Sequence, residues 1–491
     1  MGSDASNTIL RNAAFLLGSQ GAAVGLRALY AFVMAKTLGP QLYGLYYYGL
    51  AGYTVILPLT VLGLPIILAR ELGSRGKEAE EVLIPTTLGI SSVVAVVAGG
   101  SLAVVAIWGE PTWELRRLLL LFSAALVARS LANWALSVFV ATERADRWMK
   151  QEASFRSGEA LLGICMALMG AQLVWLVALH AVSWWAEAFS CWWRIRRDHA
   201  EVTWKVQWDW APTLLRQGVP LGLIGWATFW FMRGPILFHR HLHPDGAGLG
   251  HLAISLQVLM LVALVPNSVA HAALPVLGRR GERSNRQAAS YLSVSLRSAI
   301  IGGAAFGILG TTLSPELVPV LLGQSYEPLG WLLTWGLWMV IPMTVSTLCH
   351  SALLARGLLR EASLGLVAGF VATTLVLVLR VGSDGASAAL LAIGIGLALW
   401  ALSSMIATVA KVLIDVKRSI LLPLFCVSSA AAATLVSIAS FDRWAALPVG
   451  FAVLLLSSWV TGVLSPLERR FLRNAVRLLS SRFFGANSRS T

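Results

Sequence analysis

Long apolar runs, each about the length needed to cross a bilayer, alternate with short polar loops from one end of this chain to the other. A spanning helix takes about 20 predominantly apolar residues. On that measure the runs predict about fourteen spans: 12–36, 44–68, 83–107, 118–140, 157–171, 173–193, 217–238, 249–274, 291–313, 330–354, 362–380, 387–410, 420–440 and 445–464. The fifth is short and opens with Arg156 and Glu159, so a merged long hairpin with the sixth is the alternative there. The expected fold class is an all-α polytopic membrane protein with about 14 transmembrane helices.

An internal repeat organises these spans. Arg27 in the first span, Gly44 and Leu45 after a short loop, Pro58 and Pro65, then Arg70 form one series; Arg233, Gly248 and Leu249, Pro266 and Pro275, then Arg279 form the second. The copies begin six helices apart, so both enter from the same side and the repeat is parallel. The expected layout is two six-helix lobes in a parallel pseudo-twofold arrangement, 1–200 and 210–410, with a cleft between them. Two extra helices at 420–464 and a basic amphipathic tail at 465–491 follow. In the tail Leu467, Phe471, Leu472, Val476, Leu479 and Phe483 share one half of a helical wheel, and Arg469, Arg470, Arg473 and Arg477 the other. Such a helix is suited to an anionic membrane surface or to a plain topology-setting tail.

Composition agrees with a bilayer as solvent: 57% hydrophobic residues, 13% charged and mean hydropathy +0.72 exceed what a water-soluble core could bury. A net charge of +14 would suggest a nucleic-acid partner in a soluble protein, but here it sorts by loop. Arg70, Arg75 and Lys77, then Arg144, Arg147, Lys150 and Arg156, then Arg194, Arg196, Arg197 and Lys205 fall in even-numbered loops, and few cations fall in odd ones. This asymmetry predicts a multi-pass protein of the cell inner (plasma) membrane with both termini cytoplasmic, the first helix its own insertion signal, and no nucleic-acid partner. No loop is long enough to fold as a separate domain.

Cys165, Cys191, Cys349 and Cys426 lie in apolar runs without metal-ligand spacing. The alternating His239, His241 and His243 could converge on a metal in an extended segment, but no second Cys or His pair supports them, so neither metal nor cofactor is expected. Tryptophans cluster near span ends as interfacial anchors.

Arg27, Arg129 and Arg233 fall near the middle of their spans. A guanidinium there costs about 2.5 to 3.5 kcal/mol or more, so each is expected to face a wet, cationic cavity. Asn133 stands one turn from Arg129 and Asn267 one turn from His271; these extend a substrate-binding polar face or serve as helix-to-helix glue. Arg297, close to its helix end, is expected to snorkel. Glu187 and His180, seven apart on one helix face, are the candidates for ion coupling, with a structural pair between Glu187 and Arg194 as the plainer alternative. His271 and His350 are further titratable options.

Three stretches carry a family resemblance: LGPQLYGLY at Leu38 to Tyr46 with GLPIILARE at Gly63 to Glu71; RQGVPLGL and NSVAHAALPVLGR between Leu214 and Arg279; and LVPVLLGQSYEP at Leu317 to Pro328. Together with the mid-helix Arg27 they resemble the Wzx-type polysaccharide (O-antigen) flippases of the MOP, or MATE-like, superfamily, over most of the chain to about residue 360. The family commonly places an Asp two residues after the seventh-helix arginine, whereas Gly234 and Pro235 follow Arg233 here.

The resemblance implies a flippase, not an enzyme, that moves an undecaprenyl-diphosphate-linked oligosaccharide by alternating access for cell-surface polysaccharide synthesis. Its partners would be that lipid-linked substrate, membrane lipids, a proton or sodium gradient, and a polysaccharide polymerase or glycosyltransferases. A lipid II flippase is the alternative, and a MATE-type multidrug or cation exporter a further one. A membrane glycosyltransferase is disfavoured, because the first outer loop, Lys36 to Tyr43, has no acidic residue.

Overall fold

The computed structural model describes residues 3–75, 77–199, 202–243, 246–277, 282–412 and 414–463, with side chains for all of these except 3–24, 69, 73–78, 145 and 265–287. Among the described residues there are no strands; apart from short 3-10 and π-helical turns, the helices are α1 (Ser3–Val61), α2 (Leu64–Arg75), α3 (Lys77–Gly109), α4 (Trp113–Ala141), α5 (Ala145–Leu168), α6 (Leu173–Asp198), α7 (Ala211–Leu242), α8 (Gly246–Leu277), α9 (Glu282–Leu322), α10 (Glu327–Gly336), α11 (Val340–Ala355), α12 (Leu359–Val412), α13 (Leu422–Ser440) and α14 (Arg443–Val460). Eleven helical stretches are long and apolar enough to cross a membrane. The stretch expected to form the basic amphipathic tail, 465–491, lies outside the described residues.

Two of these stretches are kinked within themselves. α1 contains Gly39 at φ 73° and ψ 169°, followed by Pro40, and α12 contains Gly385 at φ 53° and ψ −126°. Both are left-handed or mirror-region conformations that glycine adopts without a Cβ penalty. The outer loop expected before Gly44 is therefore a kink one residue wide. The second expected span, 44–68, is also interrupted: Leu62 and Gly63 have φ of 47° and 63°, which ends α1 and starts α2. α5 is absent from the apolar stretches because Arg147, Lys150, Glu152, Arg156 and Glu159 dilute its hydropathy. It is nonetheless a separate helix, joined to α6 by a turn at Gly170 (φ 76°), so the merged hairpin does not form.

The chain divides into two compact units. Unit 1 comprises Met1–Gln257, Pro319–Leu329 and Phe370–Ile393; unit 2 comprises Val258–Val318, Gly330–Gly369 and Gly394–Thr491.

Within unit 1, α4 is surrounded by α1, α2, α3 and α6. One apolar core joins Leu64, Leu68, Leu83, Ile84, Trp134, Val138, Phe139, Cys191 and Leu214. A second is built of alanines, Ala125, Ala128, Ala132, Ala181 and Ala188, beside Trp184. Small side chains let α4 and α6 approach closely, as helices in lipid commonly do. The two copies of the sequence repeat meet here: a Cβ on Gly44 would lie 2.8 Å from the Gly246 carbonyl oxygen and the Gly250 nitrogen, so α1 and the start of α8 touch backbone to backbone.

Unit 2 has an aliphatic core of Leu292, Leu296, Ile300 and Ile308 on α9 with Leu348, Ala352, Cys426, Ala430 and Leu454 from α11, α13 and α14. Trp338 donates its Nε1–H to Thr311 Oγ1 at 2.9 Å, and His350 meets Trp400 edge-on at 5.4 Å.

Candidate functional site

On α6, His180, Ser183, Trp184 and Glu187 follow the i, i+3, i+4, i+7 spacing that puts side chains on one face. On α5, Glu152, Arg156 and Glu159 follow the matching i, i+4, i+7 spacing, and the two faces meet. Arg156 is the hub. Its guanidinium donates to Glu187 Oε2 at 2.6 Å, to Ser183 Oγ at 3.0 Å, and to Glu159 at very short range, while its Cζ lies 3.7 Å from the Trp184 ring centre. Arg156, Glu159 and Glu187 are all buried, with 6%, 8% and 2% of their surfaces exposed.

The chain of bonds continues through His180. Its Nδ1–H donates to Glu159 Oε1 at 2.6 Å, and its Nε2 accepts from the Tyr53 hydroxyl at 2.9 Å and from Trp184 Nε1–H at 3.2 Å. The indole can only donate, which assigns the ring proton to Nδ1. Tyr53, buried on α1, in turn accepts from Arg129 Nη1 at 2.7 Å. Trp184 thus has Arg156 near its ring and Arg129 at 4.8 Å, two cation–π contacts on one indole. Four helices are joined by one hydrogen-bonded series, Glu187, Arg156, Glu159, His180, Tyr53, Arg129. Arg156 is compensated directly by Glu159 and Glu187, as buried ionised groups require, whereas Arg129 joins the series only through the Tyr53 hydroxyl.

Arg27 approaches the same face of α5 one turn earlier, pairing with Glu152 at 3.2 Å; both side chains are well exposed, 44% and 31%. Arg233 sits apart on α7 with its Cζ 4.8 Å from the Tyr47 ring centre. Its buried Nε and Nη1 have no hydrogen-bond partner among the described residues, and it pairs with no carboxylate there. Gly234 and Pro235 follow Arg233, so the chain next to it supplies no acid either. Asn133 is half-buried on α4 and makes no side-chain hydrogen bond among the described residues. The side chains of Asn267 and His271 lie outside the described residues.

Sequence reasoning placed Glu187 and His180 on a common face, and they share one network. The partner of Glu187 is Arg156, not Arg194, because α5 packs alongside α6 and delivers its cation at the level of Glu187, whereas Arg194 is exposed. Arg156, Glu159 and Tyr53 were not singled out. The available signal was the i, i+3 pair Arg156 and Glu159 inside a span otherwise apolar on its far side. A second buried carboxylate was also missed: Glu110 accepts from the Tyr48 hydroxyl at 2.8 Å, with Arg240 at 3.8 Å and His241 within 3.3 Å of the same tyrosine. The three histidines 239, 241 and 243 do not form an extended segment; α7 runs to Leu242, and no metal-holding group of His, Cys, Asp or Glu is found among the described residues.

No protein-family model matches this sequence, and no curated protein sequence does. Solved structures do match in fold. The lipid II flippase MurJ in an inward closed conformation superposes with a TM-score of 0.63 at 12% identity, covering 90% of this chain and 97% of its own. An inward-facing multidrug resistance MATE family transporter of the MOP superfamily gives 0.61 at 13% identity, covering 79% and 94%. A MOP superfamily transporter from Pyrococcus furiosus, described as having a binding pocket of reverse polarity, gives 0.58 at 15% identity, covering 80% and 94%. The chain shares its fold with these three transporters.

Proposed function

We propose that this chain flips an oligosaccharide linked to undecaprenyl diphosphate across the inner membrane by alternating access, for cell-surface polysaccharide. The observation that carries this reading is the state of Arg129 and Arg233: both lie deep in apolar helices, and neither has a carboxylate partner among the described residues. Each costs about 2.5 to 3.5 kcal/mol or more to place there. Their neighbours are a phenol and aromatic faces, which leave the positive charge in force. A diphosphate is the complementary group, since its oxygens accept the paired N–H donors of a guanidinium. Arg27, Arg129 and Arg233 would take the diphosphate, and Asn133, Asn267 and His271 the sugar hydroxyls. The likeness in fold to a lipid II flippase supports an amphiphilic substrate of this class.

An ion gradient would drive the cycle through the buried network. His180 and Glu187 are its titratable ends toward α6, and Glu159 bridges them through Arg156. The reading also takes about fourteen spans with both termini cytoplasmic, from the charge asymmetry of the loops and the kinks at Gly39 and Gly385.

The triple variant Arg27→Ala, Arg129→Ala, Arg233→Ala should abolish surface-glycan export, by about a hundredfold or more, at an unchanged protein level in the membrane fraction. Full export by the triple variant would sink the reading. A lipid II flippase is the second reading, favoured by the 90% of this chain that MurJ covers. Depletion of the protein would then lyse cells, where the first reading expects a lost surface glycan in intact cells.

A further inference from the structure

A groove of about 320 Å³ lies within unit 1 between α3, α4 and α6, away from the charged network. Its walls are Leu88, Leu131, Trp134, Trp185, Phe189 and Trp192. On α6 the residues 185, 189 and 192 project roughly opposite to His180, Trp184 and Glu187, so one helix serves two unrelated surfaces. Trp185 and Phe189 are 45% and 64% exposed, and the Trp134 indole is buried with its Nε1–H donating to Thr87 Oγ1 at 3.1 Å. The groove is therefore an open apolar trough with its one buried ring N–H already satisfied.

One turn beyond Trp192 the same stripe of α6 reaches Arg196, whose Cζ is 5.3 Å from the Trp192 ring centre. Arg197 lies 5.8 Å from the Trp193 ring centre beside it. The carboxylates at this end are engaged elsewhere: Asp198 by Arg144 and Arg147, and Glu80 by His199. Glu81, seven residues before Leu88 on α3, is exposed and makes no ion pair among the described residues. Neither Arg196 nor Arg197 has a carboxylate partner there, and the rim is net positive. An apolar trough that ends in unpaired cations is complementary to an amphiphile with a chain at one end and an anion at the other.

We propose that this groove binds an anionic glycerophospholipid of the surrounding bilayer, its acyl chain along Trp134, Trp185 and Phe189 and its phosphate at Arg196, with Arg197 adding attraction. The site is independent of the substrate reading. It makes the protein selective for headgroup charge among the lipids that surround it.

The test is native mass spectrometry of the purified full chain, titrated with phosphatidylglycerol or phosphatidylcholine of identical acyl chains. The wild type should retain phosphatidylglycerol in preference, by about fivefold for each arginine. Arg196→Gln with Arg197→Gln should bring the ratio close to one, whereas Arg196→Lys should keep it. Trp185→Ala with Phe189→Ala should weaken both lipids and leave their ratio unchanged. Size-exclusion profiles matching the wild type establish that each variant is folded; the two arginines are exposed, so their variants stay informative if the aromatic pair fails. Equal retention of the two lipids by the wild type, or a preference that survives the double glutamine variant, overturns the proposal. Displacement of phosphatidylglycerol by undecaprenyl phosphate at equal concentration also overturns it, since the trough would then hold the carrier lipid.

Discussion

In unit 1 four helices meet over ionised side chains, Arg129, Arg156, Glu159 and Glu187 with His180 and Tyr53 between them. In unit 2, α9, α11, α13 and α14 meet over leucine, isoleucine and alanine, with isolated contacts such as Trp338 on Thr311 at the margin. The two cores fail differently. Apolar packing loses stability in proportion to the atoms removed and the cavity left. A buried ionic series fails by partner: take one member away and its neighbours are left charged and unsolvated.

The comparison is broken most severely at Arg156. Arg156→Ala leaves Glu159 and Glu187 without their shared cation and should cost about 3–5 kcal/mol in equilibrium unfolding of the purified protein. A loss under about 1 kcal/mol would show that the series does not hold unit 1 together. Leu296→Ala in unit 2, where the side chain is fully buried, should cost about 3 kcal/mol by the same measurement, with transport kept at temperatures where the variant is folded. Replacing the ionic set as a unit, Arg156→Met with Glu159→Leu and Glu187→Leu, sharpens the contrast: stability should stay within about 2 kcal/mol of the wild type, while on the proposed reading glycan export and its dependence on pH are lost. Retained pH-dependent export in that variant would place ion coupling elsewhere. The smallest effect is expected for Trp338→Phe, which removes one hydrogen bond to Thr311 and should cost about 1 kcal/mol.

The spans were readable because a helix in lipid has to satisfy its own backbone and present apolar side chains for about 20 residues. The kinks at Gly39 and Gly385 fall in the breaks expected at 37–43 and 381–386, whereas the turn at Leu62 and Gly63 was not legible, because the residues on either side of it are apolar. α5 teaches the most. The residues that blurred it as a span, Arg156 and Glu159, are the hub and bridge of the buried network, so weak hydropathy there was a sign of the site. Reading Arg156 as a loop cation that sets orientation hid it as the partner of Glu187. Facing positions along one helix, such as His180 and Glu187, follow from helical period alone. Which neighbouring helix supplies the partner depends on packing order, and no period encodes that.

Glu152 and Arg156 stand one turn apart on α5, yet one pairs with a partly exposed Arg27 and the other is sealed. On the reading proposed above, a diphosphate arriving at Arg27 would have only a partly open ion pair to displace, one that holds less strongly than a sealed one. The carboxylate released in that exchange would remain close by and repel the newcomer, so Arg27 would hold its cargo briefly, as a carrier that must let go on the far side requires.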